Sequence, residues 1–217
     1  MEPVLDNLDL YWSGFLTSLG IVLWGVAGSL LLGTLLATFR ISPVPVLQRF
    51  GAFYVAAVRN TPLTIVLFFM AFAVPPAFGI TPDFYLTGTV GLVLYTAAFV
   101  CEAVRSGVNA VPAGQAEAAR ALGLGFRQNL TLVVLPQALR TVVPPVGNVV
   151  IAMIKNSAVV GAVGVSGDLF STYRRLTSAF GYERLPVITG VAVGFLVMTF
   201  TAAAVLALAE RRLEVAR

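Results

Sequence analysis

Apolar residues in this chain fall into long runs broken by short polar interruptions. Five runs, near residues 14–39, 53–75, 85–105, 141–165 and 186–209, can each cross a hydrocarbon core of about 30 Å, which takes about 20 helical residues. The pattern predicts an all-α integral membrane fold of five transmembrane helices, one domain spanning residues 1–217. The longest polar interruption, about residues 106–140, lies between the third and fourth runs. The fourth run carries Pro144, Pro145, Gly147, Asn148, Lys155 and Asn156. Lipid-exposed backbone cannot tolerate such residues, whereas neighbouring protein or a water-filled cavity can satisfy the groups they free. That helix is therefore expected to face the interior of the bundle.

Composition supports lipid as the main solvent. Of 217 residues 58% are hydrophobic and 11% charged, against about 25% charged in an ordinary soluble domain. The net charge of +4 comes from scattered arginines, which fit a topology signal better than a nucleic-acid surface. With the N-terminus outside, the cytoplasmic segments hold Arg40, Arg49, Arg105, Arg120, Arg127, Arg140, Arg211, Arg212 and Arg217; the outer segments hold Arg174, Arg175 and Arg184. Positive residues gather on the cytoplasmic side, so the chain is expected to run N-out and C-in through a bacterial plasma membrane. Glu2, Asp6 and Asp9 precede the first run with no Lys or Arg before Arg40. A signal peptide needs a basic leader, so the first run is expected to stay as a helix.

Several chemistries drop out. There is no histidine and one cysteine, which removes histidine-based catalysis and most zinc sites. A membrane enzyme would need a histidine, paired intramembrane carboxylates or an activated serine, and none is visible. The single lysine, Lys155, follows Ile154, so the G-x-x-x-x-G-K-[ST] loop that cradles nucleotide phosphates cannot be built. No cofactor is expected in this chain; if ATP hydrolysis is coupled to it, the ATP and magnesium belong to a separate subunit.

The polar loop has its own pattern. Pro112 suits the first position of a helix, Gln115 to Leu122 is rich in helix formers, and Gly123 and Gly125 can stop that helix and turn the chain. Phe126 to Leu135 then allows a second short helix ending at Pro136, giving a compact knob with a small-residue face at Ala118 and Ala119. The spacing Glu117-Ala118-Ala119, Gly123, Val133 and Leu135-Pro136 resembles the EAA signature of ATP-binding-cassette import permeases. Arg59-Asn60-Thr61-Pro62-Leu63, Val111-Pro112 with Gly114-Gln115, Leu135 to Arg140, Pro144-Pro145 with Gly147-Asn148, and Lys155-Asn156-Ser157 are similar to the polar amino acid permeases of that superfamily. Asn60 stands where glycine is commoner. The resemblance implies a type I importer: a second permease subunit (a heterodimer favoured, a homodimer possible), two cytoplasmic ATP-binding subunits and an extracytoplasmic solute-binding protein. It also implies that Glu117, Ala118, Ala119, Arg120, Gly123, Leu135 and Pro136 form the ATPase-docking element.

Lys155 bears on the cargo. It lies about 16 Å beyond Pro144-Pro145 at 1.5 Å per residue, near the middle of the core, where a charge costs at least about 2.5–3.5 kcal/mol. Two accounts stay open. Lys155, Asn156 and Ser157 line the pathway with the ammonium facing a substrate carboxylate, or Lys155 is structural, paired with Glu102 or with backbone carbonyls. No aspartate falls within a run to serve a cationic cargo, so glutamate or aspartate is the first expectation, then glutamine, with a basic amino acid last. Arg59 and Thr61 are candidate pathway or gate residues, Pro62 can loosen the second helix, and Arg59 has the alternative of snorkelling to headgroups. Glu102 and Arg105 are expected to pair as i,i+3 neighbours.

Overall fold

The computed structural model describes residues 2–213; Met1 and residues 214–217, Arg217 among them, lie outside it. In chain order the described helices are α1 (Glu2–Leu5), α2 (Leu8–Ile41), α3 (Pro45–Arg59) and α4 (Leu63–Ala77), then α5 (Phe84–Asn109), α6 (Ala113–Ala121), α7 (Phe126–Val163), α8 (Leu169–Ser178) and α9 (Arg184–Leu213). The fold is all-helical among these residues, as the run pattern predicts. Helices α2, α5, α7 and α9 are each long and apolar enough to cross a membrane unaided.

Small residues set the packing. A Cβ added to Gly25 would sit 3.6 Å from Leu92, and one added to Gly33 would sit 2.5 Å from Val100, so α2 and α5 lie side by side and run parallel. Gly88 faces Val160, while a Cβ on Gly107 would lie 3.0 Å from the backbone N and Cα of Val142; α7 therefore runs antiparallel to α5. Without a hydrophobic drive in lipid, such close backbone approach is what holds spanning helices together. At one end of the bundle Tyr11 donates a 2.9 Å hydrogen bond to the Val187 carbonyl, and at the other Leu206 covers Gly147. That places Arg40, Arg105, Arg140, Arg211 and Arg212 together at one end. The opposite end is covered by α8, whose N-cap Asp168 accepts from the Phe170 and Ser171 amides, while the Leu169 amide donates to Ser18.

Two expected boundaries change. The second run is not one helix, because α3 and α4 meet at a 103° bend across Asn60–Pro62. Pro62 lacks the N–H that would continue the ladder and biases Thr61 away from helical geometry. Asn60 and Thr61 instead turn their side chains back onto the Ala56 and Ala57 carbonyls, 2.8 Å each. The short helix expected to end at Pro136 does not end there; α7 continues unbroken for 38 residues. A π-helical turn over Asn129–Val134 precedes that proline, with Leu135 donating to the Leu130 carbonyl five residues back. The wider turn makes room for a ring that would clash in an α-helix. A π-helical turn over Phe69–Ala73 stands in the same relation to Pro75 and Pro76 in α4.

Candidate functional site

Two regions carry the residues singled out by sequence. The first is a hairpin of α6 and the start of α7, at the arginine-rich end. Pro112 is the N-cap and Ala113 the first helical residue, one position later than the proline pattern suggests. The C-terminus of α6 closes as a Schellman motif: the Gly123 amide reaches Arg120 O at 2.9 Å and the Leu124 amide reaches Ala119 O at 3.1 Å. This needs a left-handed residue at Gly123, whose φ is +83°. Gly125 then opens α7, its amide bonded to Gln128 Oε1 at 3.0 Å.

Glu117, Ala118, Arg120 and Gly123 are exposed, as are Leu135 and Pro136. Ala119 is not part of an outer small-residue face with Ala118. It is 4% exposed and packs inward, because the hairpin folds α6 onto the π-helical turn of α7. Sequence reasoning missed Asn129. Its buried side-chain amide donates to the Ala116 carbonyl at 2.9 Å across 13 residues, joining the two limbs. It stands beside Arg127, Gln128 and Thr131, so no local signal set it apart. Leu122 and Phe126, each 84% exposed, were also missed; they add apolar surface on either side of the turn.

The second region lies along the spanning part of the bundle, on α4 and α7. Leu67 and Met153 pack at the depth of Gly91 and Leu92. Counting along α4 and α7 from that level separates the α3–α4 break from Lys155 by about 12 Å in depth. A helical side chain leans toward the N-terminus of its helix, which for Lys155 is toward the break. Lys155 is exposed in the single chain, Asn156 is partly buried, and Lys155 forms no ion pair among the described residues. Pairing with Glu102 is ruled out as its explanation: Glu102 is held by Arg40 and by Arg105, the latter at 2.9 Å. The Glu102–Arg105 pair is as expected, and Arg40 is the added partner.

Ser157 does not share the outlook of Lys155. Its hydroxyl is buried and donates to Ile154 O at 2.7 Å, so it lines the core rather than an open pathway. Arg59 stands at the break, its guanidinium 5.5 Å from the Phe99 ring centroid. Thr61 is half-buried beside it, and Pro62 caps α4, leaving the first amides of that half-helix without an intrahelical partner. Beyond the break, Ile65, Phe68, Phe69 and Phe72 form an uncovered apolar face on α4. No group of three or more potential metal ligands occurs among the described residues.

The chain as a whole is similar to known proteins. The sequence profile described as "binding-protein-dependent transport system inner membrane component" matches residues 29–215. A probable glutamine ABC transporter permease protein of Bacillus subtilis, GlnM, is 36% identical over 97% of this chain and 96% of its own. A glutamate transport system permease protein of Corynebacterium efficiens, GluC, is 36% identical over 85% of this chain and 86% of its own. An arginine transport system permease protein of B. subtilis, ArtQ, is 32% identical over 98% and 96%. Among solved structures, an amino acid ABC transporter crystallised with histidines superposes with a TM-score of 0.88 at 29% identity, covering 96% of each chain.

Proposed function

Because the chain belongs to the family of binding-protein-dependent transport system inner membrane components, we propose that it carries an acidic amino acid, glutamate or aspartate, past Lys155 and the α3–α4 break. It is a multi-pass inner-membrane permease subunit of an amino acid ABC importer, not an enzyme, and ATP is hydrolysed by a separate subunit. The observation that carries the choice of cargo is Lys155: an ammonium on the spanning helix α7, exposed on the single chain and with no carboxylate partner among the described residues. A substrate carboxylate would supply the missing charge. Half-helix N-termini that face anionic groups are a recurrent way to hold such substrates. The start of α4 after Pro62 has that form.

In this arrangement the arginine-rich end faces the cytoplasm, in keeping with the bias of basic residues, so the N-terminus lies outside. The α6–α7 hairpin is then the seat of the ATPase, with Glu117, Ala118, Arg120, Gly123, Leu122 and Phe126 as its outer surface. Ala119 and Asn129 hold the hairpin together behind it. Closure of the ATPases moves the hairpin, and the unbroken α7 carries that motion to Lys155. A second permease subunit, related but distinct, completes the pathway, and a solute-binding protein delivers cargo to the end covered by α8.

Glutamine is the second reading, supported by the likeness to GlnM. The test is uptake by the transporter reconstituted with its ATPase and binding protein, across a panel of amino acids. Glutamate and aspartate are expected to drive ATP-dependent uptake. Uptake of glutamine alone would move the assignment to the amide, and stimulation only by arginine or lysine would refute an anionic cargo.

A further inference from the structure

Between α2, α3 and α5, on the arginine-rich side of the helix break, lies a cavity of about 380 Å³ lined by Arg40, Ala52, Ala56, Arg59, Asn60 and Glu102. Its charge does not balance. Glu102 is the only carboxylate there, and both of its oxygens are taken: Oε1 by Arg40 and Oε2 by Arg105 at 2.9 Å. Arg59 has no carboxylate partner among the described residues; its guanidinium leans on the Phe99 ring instead. Arg40 and Arg59 line the cavity and Arg105 backs Glu102 from outside it, so three guanidinium groups stand against one carboxylate, a surplus of two positive charges. Nε of Arg105 is also buried without a hydrogen-bond partner.

We propose that this cavity binds the phosphodiester of an anionic phospholipid headgroup. The surplus charge calls for an anion, and arginine donors match the geometry of phosphate oxygens. The cavity is poorly made for a transported amino acid, since a zwitterion also needs an acceptor for its ammonium and Glu102 has no free oxygen. Helix α3 supplies the membrane context. Val46, Phe50 and Phe53, at i, i+4 and i+7, are 74%, 55% and 74% exposed and make one apolar stripe. The side of α3 bearing Ala52, Ala56 and Arg59 turns toward the cavity. An amphipathic helix of this kind lies in the headgroup and acyl boundary, and it is bent 103° away from the following helix. The small side chains of Ala52 and Ala56 leave the way open for a headgroup beside that stripe. The lipid phosphate would neutralise Arg59 next to the break on which the proposed pathway depends, although the binding site itself stands whatever the cargo is.

The test uses the assembled transporter in nanodiscs of phosphatidylcholine with phosphatidylglycerol at equal amounts, with retained lipid counted by native mass spectrometry. The wild type is expected to retain phosphatidylglycerol over phosphatidylcholine. Arg59→Gln should cut that preference about fivefold, the scale expected for one basic residue near an anionic membrane surface. Arg59→Lys should keep most of it, and Arg49→Gln, an exposed arginine of α3 outside the cavity, should change nothing. Ala56→Leu fills the cavity without touching a charge and should lower retention too, which covers failure of the Arg59 variant to assemble. Inorganic phosphate added in excess distinguishes the source: displacement of the lipid by phosphate would assign the site to free phosphate, with the same chemistry. Equal retention of both lipids by the wild type, or equal losses in Arg49→Gln and Arg59→Gln, would overturn the site.

Discussion

Gly123 is the residue on which the α6–α7 hairpin turns, and replacing it separates backbone strain from surface contact. Its φ is +83°, and a Cβ added there meets no atom within 4 Å. Within this chain an added side chain therefore clashes with nothing, and the cost is purely conformational. An L-residue held in the left-handed region costs about 1–2 kcal/mol, with Asn tolerating it better than most and β-branched residues worst. That range corresponds to roughly 5–30-fold in the population of the native turn. The series Gly123→Asn, Gly123→Ala and Gly123→Val should then lose coupling in that order, Asn close to wild type and Val most impaired. The assay measures, in the same vesicles, ATP hydrolysis stimulated by the binding protein and uptake of amino acid. The uptake obtained per ATP is the readout, with membrane content checked separately. Wild-type coupling in Gly123→Val would refute the need for a left-handed turn. Equal failure of Asn and Val would show instead that the ATPase leaves no room for any side chain, and the strain account would be wrong.

Lys155→Met should leave the subunit in the membrane and assembled, while raising the half-saturating concentration of an acidic substrate at least tenfold, the scale of a lost charge-assisted hydrogen bond of about 1.5–3 kcal/mol; unchanged uptake would remove Lys155 from the pathway. Asn129→Leu deletes the bond to Ala116 O that joins the two limbs, at a net cost of about 1–1.5 kcal/mol. Trypsin cleavage at the exposed Arg120 and Arg127 should then accelerate at least fivefold, and unchanged cleavage would mean the limbs are held by other contacts. Asp168, outside the spans, has its carboxyl pushed up by burial, against the opposing pull of its hydrogen bonds from Ser171 and Phe170 and of Arg174. A folded-state pKa above the unfolded one means the folded protein binds the proton more tightly, so this group's contribution to stability falls as pH rises through the ordinary carboxylate range and levels off above the raised value. Thermal midpoints of wild type minus Asp168→Asn should fall with rising pH in that window; a difference independent of pH would contradict it.

Much of this was legible because lipid imposes a simple rule on sequence: four of the five apolar runs lie on single helices, three with ends extended by a few residues and the fourth, 141–165, on a helix that reaches back to Phe126 and stops at Val163. The second run, 53–75, was misjudged as continuous because hydropathy is blind to hydrogen bonding. Asn60, Thr61 and Pro62 interrupt the ladder without making the run polar, and only the side-chain bonds to Ala56 and Ala57 show how the break is held. Pro136 misled in the opposite direction, since a proline reads as a stop unless the π-helical turn before it is known. Contacts distant in sequence were the other blind spot. The pairing of Glu102 with Arg105 follows from helical spacing, whereas Arg40 is 62 residues away, and nothing local marks Ala119 as inward-facing and Ala118 as outward-facing.

The correction at Pro136 changes how force would travel. A helix ending at Pro136 would leave the docking hairpin joined to the fourth span through a flexible joint, and tilting it would move the span little. Instead α7 runs 38 residues, about 57 Å, from the hairpin tip at Phe126 past Lys155 to Val163. Asn129 fastens α6 to its first turns, so a displacement of Glu117 or Arg120 cannot be absorbed within the hairpin without breaking that bond. The compliant points on the way are the π-helical turn and Pro144-Pro145, where ladder hydrogen bonds are lost or displaced. In the proposed mechanism, motion of the hairpin would therefore reach Lys155 as a bend about those prolines. Replacing Pro144 and Pro145 by alanine should stiffen the lever. Such a variant should retain ATP hydrolysis and lose uptake per ATP, and one that transports as well as wild type would show that α7 moves as a rigid rod.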